Sequence, residues 1–163
     1  MSTPSGNDLD RALDVFCGTD RVGRLAFDPG QDQFSFAYSA EWLRHSGRFQ
    51  LTPHMPFEGE VSPVAVRRYI DNLLPEGRAL DVGSSFTNIQ KTHLFGLIRV
   101  LGRETAGALS FLPAGQTPRA PNPERRKVGY EELQQRIDER NRVPFAVWDG
   151  QVRMSVAGYQ DKL

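Results

Sequence analysis

The sequence predicts an α+β fold built on an antiparallel sheet. Two apolar runs near the start, residues 22–27 and 34–38, flank the strong turn signal Asp28–Asp32, which is the pattern of a β-hairpin. A block of amphipathic helices follows, then a further strand and a second short hairpin. Because hairpins and helices come in separate blocks rather than as repeated βαβ units, we expect an antiparallel sheet and not a doubly wound parallel one.

The opening strands are defined by the spacing of their apolar residues. Residues 12–16 form a first strand, and residues 22–27 form a second in which arginines separate apolar positions. In the third run, large aromatic residues alternate with small ones, which is the period of a half-buried strand. Those aromatic residues are Phe34, Phe36 and Tyr38. Trp42 and Leu43 are expected to cover the aromatic face, and residues 44–60 to form an irregular connection.

A first helix is expected to begin at Ser62 and Pro63. Serine is a favoured N-cap and proline a favoured first helical residue. The helix should stop before Pro75, which cannot continue it. Its apolar residues recur at helical spacing and predict one buried stripe. They are Val66, Ile70, Leu73 and Leu74.

Two further helices are expected before residue 103. One lies between Arg78 and Lys91 and should be interrupted at Gly83-Ser84-Ser85. The next ends at Gly102, a favoured C-terminal residue, and Gly96 inside it indicates close packing against a neighbour. The buried stripe of this helix consists of Leu94, Leu97, Ile98 and Leu101.

Composition changes divide the rest of the chain. Residues 106–112 indicate a strand, and residues 113–128 are rich in proline with a short basic run, as in a linker. A polar helix over residues 131–140 and a hairpin turned at Asp149-Gly150 complete the order of elements. Residues 1–9 are polar and are expected to be a disordered leader.

Charge and hydropathy exclude several functional classes. The 163 residues carry 20 basic and 20 acidic side chains, so no bulk electrostatic attraction to nucleic acid or to an anionic membrane is expected. No apolar run approaches the roughly 18 residues of a membrane span, and the first residues lack the pattern of a signal peptide. Cys17, the single cysteine, is expected to be a small buried hydrophobic residue. We therefore expect a cytoplasmic protein.

Recognisable catalytic arrangements are missing from the sequence pattern. His45, His54 and His93 have no evident acidic or nucleophilic partner, and the G-x-S-x-G elbow of serine hydrolases does not occur. His93, just before the next helix, is expected to have a capping or a core role. The spacing of these histidines does not predict a metal site. We expect no catalytic residue and no metal ligand in this chain.

The last nine residues admit two interpretations. A strand-like run, residues 151–154, leads into a segment with small residues at Ala157 and Gly158 and a lysine at 162. Backbone N–H groups near a glycine can approach an anion closely, which would suit a phosphate. The spacing matches neither G-x-x-x-x-G-K-[ST] nor G-x-G-x-x-G. A strand end followed by a turn therefore fits these residues at least as well.

Four stretches in order resemble the N-terminal part of HipA-family serine/threonine kinase toxins. They are Arg21–Leu25 with Phe34–Tyr38 and Glu41–Leu43, Asp71–Glu76, Gly102–Leu109 and Ser155–Lys162. The last matches the family pattern S-[IV]-A-G-x-Q-[DE]-K. The resemblance implies a β-rich N-terminal subdomain with a few short helices over residues 10–112. A linker over 113–128 and the start of a kinase-like N-lobe, the nucleotide-binding region, over 129–163 would follow.

The resemblance also implies a site at the end of the chain. The glycine-rich loop that covers the phosphates of ATP would consist of Ala157, Gly158, Tyr159, Gln160, Asp161 and Lys162. Ser155 would be the serine that the kinase autophosphorylates, which holds the loop away from ATP and silences the enzyme. Tyr159 stands where the family often carries a small residue. ATP and Mg²⁺ would be the cofactors.

The implied activity belongs to a whole kinase, of which this sequence resembles only the first part. The phosphate-binding lysine, the catalytic aspartate and the magnesium-binding aspartate would lie beyond Leu163, so the chain alone is expected to be inactive. Either a longer protein was cut here or a gene encodes only this part. Implied partners are a helix-turn-helix antitoxin of the HipB type, DNA only through it, and a protein substrate such as glutamyl-tRNA synthetase, an aminoacyl-tRNA synthetase.

A second, non-enzymatic hypothesis is that the chain is a free-standing subdomain. In some related systems such a protein acts as an antitoxin or regulator of a separate, shortened HipA-like kinase. Residues 10–112 could do this alone. The presence of the Ser155–Lys162 loop argues against it, because a free-standing subdomain has no use for half of an ATP site.

Overall fold

A four-stranded antiparallel sheet is the centre of the fold. The structure is a computed structural model, and it describes residues 11–103, 105, 108–118, 127–139, 147–148 and 151–152. The strands lie in the order β3-β2-β1-β4, and every neighbouring pair is antiparallel. Their bounds are Ala12–Cys17 for β1, Asp20–Asp28 for β2, Gln33–Tyr38 for β3 and Leu109–Pro113 for β4. The predicted α+β fold with an antiparallel sheet is confirmed.

Five helices and a small second sheet are the remaining described elements. The helices are α1, Ala40–Arg44; α2, Pro63–Leu73; α3, Gly77–Thr87; α4, Leu94–Leu101; and α5, Tyr130–Glu139. The second sheet pairs β5, Val147–Trp148, with β6, Gln151–Val152. Its register sets Trp148 opposite Gln151, so only residues 149–150 lie between the strands, as the predicted two-residue turn requires.

Strand β1 is buried on both faces, as its central position demands. Leu13 and Val15 point into the main hydrophobic core, together with residues of the helices. Ala12 and Phe16 are buried on the opposite face of the sheet, and Asp14 lies between them. A continuous rather than alternating apolar run is expected of such a strand. Cys17, at the strand end, is half-buried and packs against the core.

The β2–β3 pair supplies the aromatic side of the core. Phe34 and Phe36 are buried, whereas Ser35 between them is exposed, so the predicted alternation is confirmed. The rings of Phe27 and Phe34 lie 4.9 Å apart. The ring of Phe95 from α4 stacks on Phe27 at 5.3 Å, which joins the helical layer to the sheet.

Helix α1 was not predicted as a helix, although its buried residue was singled out. Ser39 is its N-cap, and the Ser39 hydroxyl accepts a hydrogen bond from the backbone N–H of Trp42 at 3.0 Å. Trp42 is only 2% exposed and belongs to the core, so its expected covering role is confirmed. A five-residue helix shows too little periodicity to be recognised in sequence.

Helix α2 begins and ends where the sequence indicates. Pro63 is its first residue and Leu74 its C-cap, held in an extended conformation by the proline that follows. Among the described residues, the Ser62 side chain finds no capping partner, although Ser62 occupies the N-cap position. Val66 and Ile70 are buried under the sheet edge formed by β3.

Helix α3 corrects one prediction. The helix runs without interruption through Gly83-Ser84-Ser85, where a break was expected. The polar side chains are satisfied inside the helix, since the Thr87 hydroxyl donates to the carbonyl of Gly83 at 2.7 Å. The Ser84 hydroxyl donates to the carbonyl of Ile89 at 2.6 Å, just beyond the helix end. The helix stops at Asn88, which adopts the left-handed conformation expected of a terminating residue.

Helix α4 is buried almost throughout and needs its glycine. A Cβ on Gly96 would overlap the His93 ring, so the predicted close packing of Gly96 is confirmed, and the neighbour is His93 itself. His93 occupies the N-cap position but is exposed, and no described group is capped by its side chain. Gly102 follows the helix as predicted, and its carbonyl accepts a hydrogen bond from the N–H of Phe111 in β4.

We predict that Gly23 in β2 cannot be replaced without loss of stability. An added Cβ would overlap the carbonyl oxygen of Ala37 and lie 2.6 Å from Cζ of Phe36 in the neighbouring strand. Gly23→Ala should therefore lower the free energy of unfolding by about 1–3 kcal/mol, measured by urea denaturation. In the control Gly30→Ala, the added Cβ meets only the flexible Asp28 carboxylate at 3.2 Å. Equal losses in the two variants would contradict the prediction.

Candidate functional site

The predicted ATP loop and phosphorylation site lie outside the described residues. This applies to Ser155 and to the six residues Ala157, Gly158, Tyr159, Gln160, Asp161 and Lys162. The described structure nearest to them is the β5–β6 hairpin, whose second strand ends at Val152, three residues before Ser155. Of the strand-like run predicted over residues 151–154, the structure describes the first two residues, and both are strand. The roles of these seven residues remain predictions.

The three histidines lie outside the helices and strands. His45 and His54 belong to the irregular loop between α1 and α2, and His93 directly precedes α4. Within the described ranges, no group of three or more histidine, cysteine or carboxylate side chains is placed to hold a metal ion. Nor is any helix of the described part long and apolar enough to cross a membrane.

A buried carboxylate is the strongest polar feature that the structure reveals. Asp14 is only 5% exposed, and it accepts hydrogen bonds from two arginines of β2. Arg21 Nη2 lies 2.6 Å and Arg24 Nε 2.9 Å from Asp14 Oδ1. The second carboxylate oxygen accepts the backbone N–H of Gly115 at 3.0 Å and lies 3.4 Å from Arg24 Nη2. We call Asp14, Arg21, Arg24 and Gly115 the Asp14 cluster.

The Asp14 cluster keeps its carboxylate ionised. Burial by itself raises the pKa of Asp14, but the hydrogen bonds from Arg24, Gly115 and Arg21 outweigh that effect. The net result is a pKa below the usual value of an aspartate. Such a group stabilises the folded state at neutral pH and loses that contribution as the pH falls through its lowered pKa. The charge is therefore paired and unavailable as a general base near pH 7.

The sequence interpretation did not single out the Asp14 cluster. One aspartate inside an otherwise apolar strand was the available signal, with arginines at positions 21 and 24 on the next predicted strand. The contact to Gly115 spans 101 positions of sequence. No local pattern could have indicated that contact, because it depends on β4 pairing with β1.

Two aromatic side chains hold the irregular loop of residues 45–60 in place. The Tyr38 hydroxyl donates to the carbonyl of Met55 at 2.7 Å and accepts the N–H of Leu51 at 2.9 Å. The Trp42 indole donates to the carbonyl of Phe49 at 3.2 Å. These side chains pair backbone groups that the loop cannot pair with itself. A connection without helix or strand thereby gains a defined shape.

The tyrosines of this region are unsuited to nucleophilic or base chemistry. Burial raises the pKa of Tyr38, and the N–H of Leu51 offsets only part of that effect. Burial, with a smaller effect of Tyr38, raises the pKa of Tyr69 to about 12. Both phenols therefore stay protonated at neutral pH and can serve as neutral hydrogen-bonding groups. Their chemistry indicates a structural role.

A shallow groove lies on the outer side of the same loop. It is lined by Leu43, Arg48, Gln50, Pro56, Phe57 and Glu58. The Arg48 guanidinium lies over the Phe57 ring, 5.4 Å from its centre, and donates to the carbonyl of Leu43. Arg48 and Glu58 give the groove one charge of each sign. Its electrostatics therefore favour neither an anionic nor a cationic ligand.

The described residues form a small α+β domain in which Asp14, Tyr38 and Trp42 form hydrogen bonds that hold the fold together. A sequence profile of the family described as HipA N-terminal domain matches residues 13–112, which run from β1 almost to the end of β4. The chain belongs to this family, as the four sequence motifs indicated.

Two curated proteins and one solved structure are similar over nearly the whole chain. The serine/threonine-protein kinase toxin HipA of Shewanella oneidensis MR-1 is 37% identical over 151 residues, 93% of this chain. A Sinorhizobium fredii protein that bears the name "Putative kinase Y4mE" is 29% identical over 94% of this chain. The structure is a complex of Shewanella oneidensis MR-1 HipA, HipB and operator DNA, with TM-score 0.71 and 36% identity over 93% of this chain.

The chain spans about a third of the length of these relatives. The shares are 34% of the Shewanella toxin, 37% of the Sinorhizobium protein and 34% of the chain in the solved structure. The similarity therefore fixes the family and the fold of the described domain. Activity, substrates and partners of a whole kinase are matters for proposal.

We predict that the hydroxyl of Tyr38 contributes to stability in addition to the packing of its ring. Tyr38→Phe keeps the ring but leaves the carbonyl of Met55 and the N–H of Leu51 without their partner. The free energy of unfolding, measured in urea, should fall by about 1–3 kcal/mol. Tyr130→Phe is the matched control, because Tyr130 is 82% exposed and its hydroxyl can bond to water. A Tyr38→Phe protein as stable as the control would refute the role given to the hydroxyl.

Proposed function

We propose that this chain is the N-terminal portion of a HipA-like toxin of a toxin–antitoxin system. Such a toxin is a serine/threonine protein kinase that transfers phosphate from ATP to a protein. The observation that carries the proposal is the 37% identity to a kinase toxin over 93% of the chain, which continues past the family domain at residue 112. If only the fold of the N-terminal domain were shared, the similarity would be expected to end with the matched residues 13–112. Similarity over the remaining residues supports a shared nucleotide-binding region.

In this proposal, residues 157–162 form the loop over the phosphates of ATP, and Mg²⁺ accompanies the nucleotide. Backbone N–H groups of the loop would bind the phosphate oxygens, and Gly158 would allow their close approach. Phosphorylation of Ser155 would add about −1.5 to −2 units of charge close to where the phosphates of ATP bind. Like charges at this distance repel, so the modified loop would bind ATP poorly.

The proposed partners follow from the relatives. The solved relative is a complex with HipB and operator DNA. A HipB-type helix-turn-helix antitoxin is therefore the partner that we propose, with DNA bound through the antitoxin. The balanced charge of this chain agrees with an indirect contact to DNA. We further propose a cytoplasmic protein substrate of the aminoacyl-tRNA synthetase class.

A chimera with the Shewanella toxin tests the kinase proposal. Residues 1–163 would replace the matching third of that protein and so join the loop to a complete set of catalytic residues. We expect transfer of phosphate from labelled ATP to Ser155, and no label at that position in Ser155→Ala. Ser35→Ala, which alters an exposed serine of β3, should retain full labelling.

Two results would contradict the kinase proposal. One is equal labelling of the chimera and its Ser155→Ala variant. The other is a folded chimera that binds HipB but transfers no phosphate to any protein. Folding can be judged independently by circular dichroism and by the urea midpoint.

We predict that the isolated chain binds Mg-ATP with negligible affinity. The loop would provide only one wall of the nucleotide site, and the lysine and aspartates that hold phosphate and magnesium in kinases have no counterpart identified in these residues. Isothermal calorimetry should show no saturable heat at micromolar concentrations. Micromolar affinity would mean that the chain holds a complete nucleotide site.

The free-standing regulator remains the alternative. The described domain supports it, since residues 11–118 contain a closed core of their own around the four-stranded sheet. A pull-down with a separately encoded HipA-like kinase distinguishes the two functions. Specific capture of such a kinase, together with an inactive chimera, would favour the regulator over the toxin.

A further inference from the structure

The turn after β4 is fastened to strand β1 by two hydrogen bonds. The N–H of Ala114 donates to the carbonyl of Ala12 at 3.3 Å, a backbone contact available to any sequence. The N–H of Gly115 donates to Asp14 Oδ2 at 3.0 Å, a contact that needs this particular side chain. A third bond, from the N–H of Gln116 to the carbonyl of Pro113 at 3.0 Å, closes the turn on itself.

We propose that Asp14 is a latch that fixes the turn Ala114–Gln116 against the sheet and so sets the direction in which the chain leaves the domain. The proposal goes beyond the family assignment, because it gives a positioning role to a residue outside the four stretches that carry the family resemblance. Its consequence for catalysis rests on the proposed kinase function, in which residues 129–163 must be placed relative to the sheet. The latch itself can be tested without any kinase activity.

Burial restricts the directions in which the Asp14 carboxylate can form hydrogen bonds. Asp14 lies inside the sheet domain and can turn only towards the groups that surround it, which are the two arginines of β2 and the N–H of Gly115. Opposite Asp14 on β4 is Leu112, which offers the carboxylate no side-chain donor. Asp14 Oδ2 has two donors in the described structure, the Gly115 N–H at 3.0 Å and Arg24 Nη2 at 3.4 Å, and the Gly115 N–H is the nearer one. The arginines hold the carboxylate in the rotamer that reaches it.

The cluster carries a desolvation cost at its carboxylate, since Asp14 is buried while 40% of each arginine side chain is exposed. A buried charge pair can often be replaced by apolar residues of similar volume with little loss of stability, because desolvation offsets much of the attraction, which favours a role beyond stability. Within the described residues, the buried Nε of Arg21 even lacks a hydrogen-bond partner. Fixing one arrangement of the chain is a role that an apolar residue could not take over, since it could not accept the Gly115 N–H.

The substitution Asp14→Asn separates the latch from simple packing. Asparagine has nearly the same shape but only one acceptor oxygen, and its NH₂ group can only donate. If the oxygen faces the guanidinium groups, the NH₂ group meets the Gly115 N–H, and two donors cannot bond to each other. If the amide is rotated so that its oxygen accepts the Gly115 N–H, its NH₂ group faces the arginine guanidinium groups, which are also donors. We expect the single amide oxygen to face the positively charged arginines, because hydrogen bonds from charged donors are stronger, so the Gly115 N–H loses its acceptor.

Nuclear magnetic resonance of the ¹⁵N-labelled 163-residue chain can detect the hydrogen bond from the Gly115 amide to Asp14 directly. In the natural sequence the Gly115 amide should exchange with solvent about tenfold or more slowly than in Asp14→Asn, as expected for loss of a charge-assisted hydrogen bond. The Gly115 amide shift should also change in one step as the pH falls through the lowered pKa of Asp14 and its carboxylate takes up a proton. Arg21 and Arg24 are the charged groups that face Asp14.

Val66→Ala is the control for general destabilisation. It removes buried volume from α2, outside the Asp14 cluster, so it should lower global stability and leave both Gly115 signals unchanged. The proposal is overturned if Gly115 in the natural sequence exchanges as fast as in Asp14→Asn, or if Val66→Ala accelerates its exchange equally. If Asp14→Asn does not fold, the pH titration of the natural chain decides. A Gly115 shift that stays constant while the Asp14 carboxyl signal itself titrates then refutes the latch.

Discussion

Burial of strand β1 on both of its faces is the constraint on which the rest of this domain depends. A strand in that position must satisfy every backbone group through its neighbours, and β2 and β4 do so on its two sides. It must also satisfy the carboxylate of Asp14, a residue that is only 5% exposed. The donors come from β2 and from the turn after β4, so one side chain requires both neighbours in their observed places.

A second set of polar contacts gives shape to the part of the domain that lacks regular structure. The loop of residues 45–60 would be costly to order by itself, because its backbone groups do not pair with one another in a ladder. Tyr38 and Trp42 supply the missing partners from β3 and α1. Each ring packs in or against the core while its polar atom reaches the loop. The core thus orders the loop through the amphipathic character of two aromatic side chains.

Elements with a strong local signal could be predicted from the sequence, and contacts between distant residues could not. The alternation of Phe34 and Phe36 and the stripe of Val66 and Ile70 depend only on the period of each element. The interruption expected at Gly83-Ser84-Ser85 was wrong because hydroxyl groups within α3 bond to nearby carbonyls and the helix continues. The Asp14 cluster was beyond prediction, since its members come from β1, β2 and a turn 101 residues away.

The proposed site shows the opposite balance, because a motif resemblance suggests Ser155 and residues 157–162, while the described structure reaches only as far as Val152. In the described domain, Asp14 is paired with arginines, and burial keeps Tyr38 and Tyr69 protonated at neutral pH. These three side chains contribute geometry to the fold. In the proposed kinase, the domain would affect phosphoryl transfer by fixing the position of the chain that follows β4, which is the segment that Asp14 holds. The desolvation cost of a buried charge is offset where function depends more on the position of that segment than on the stability of the fold.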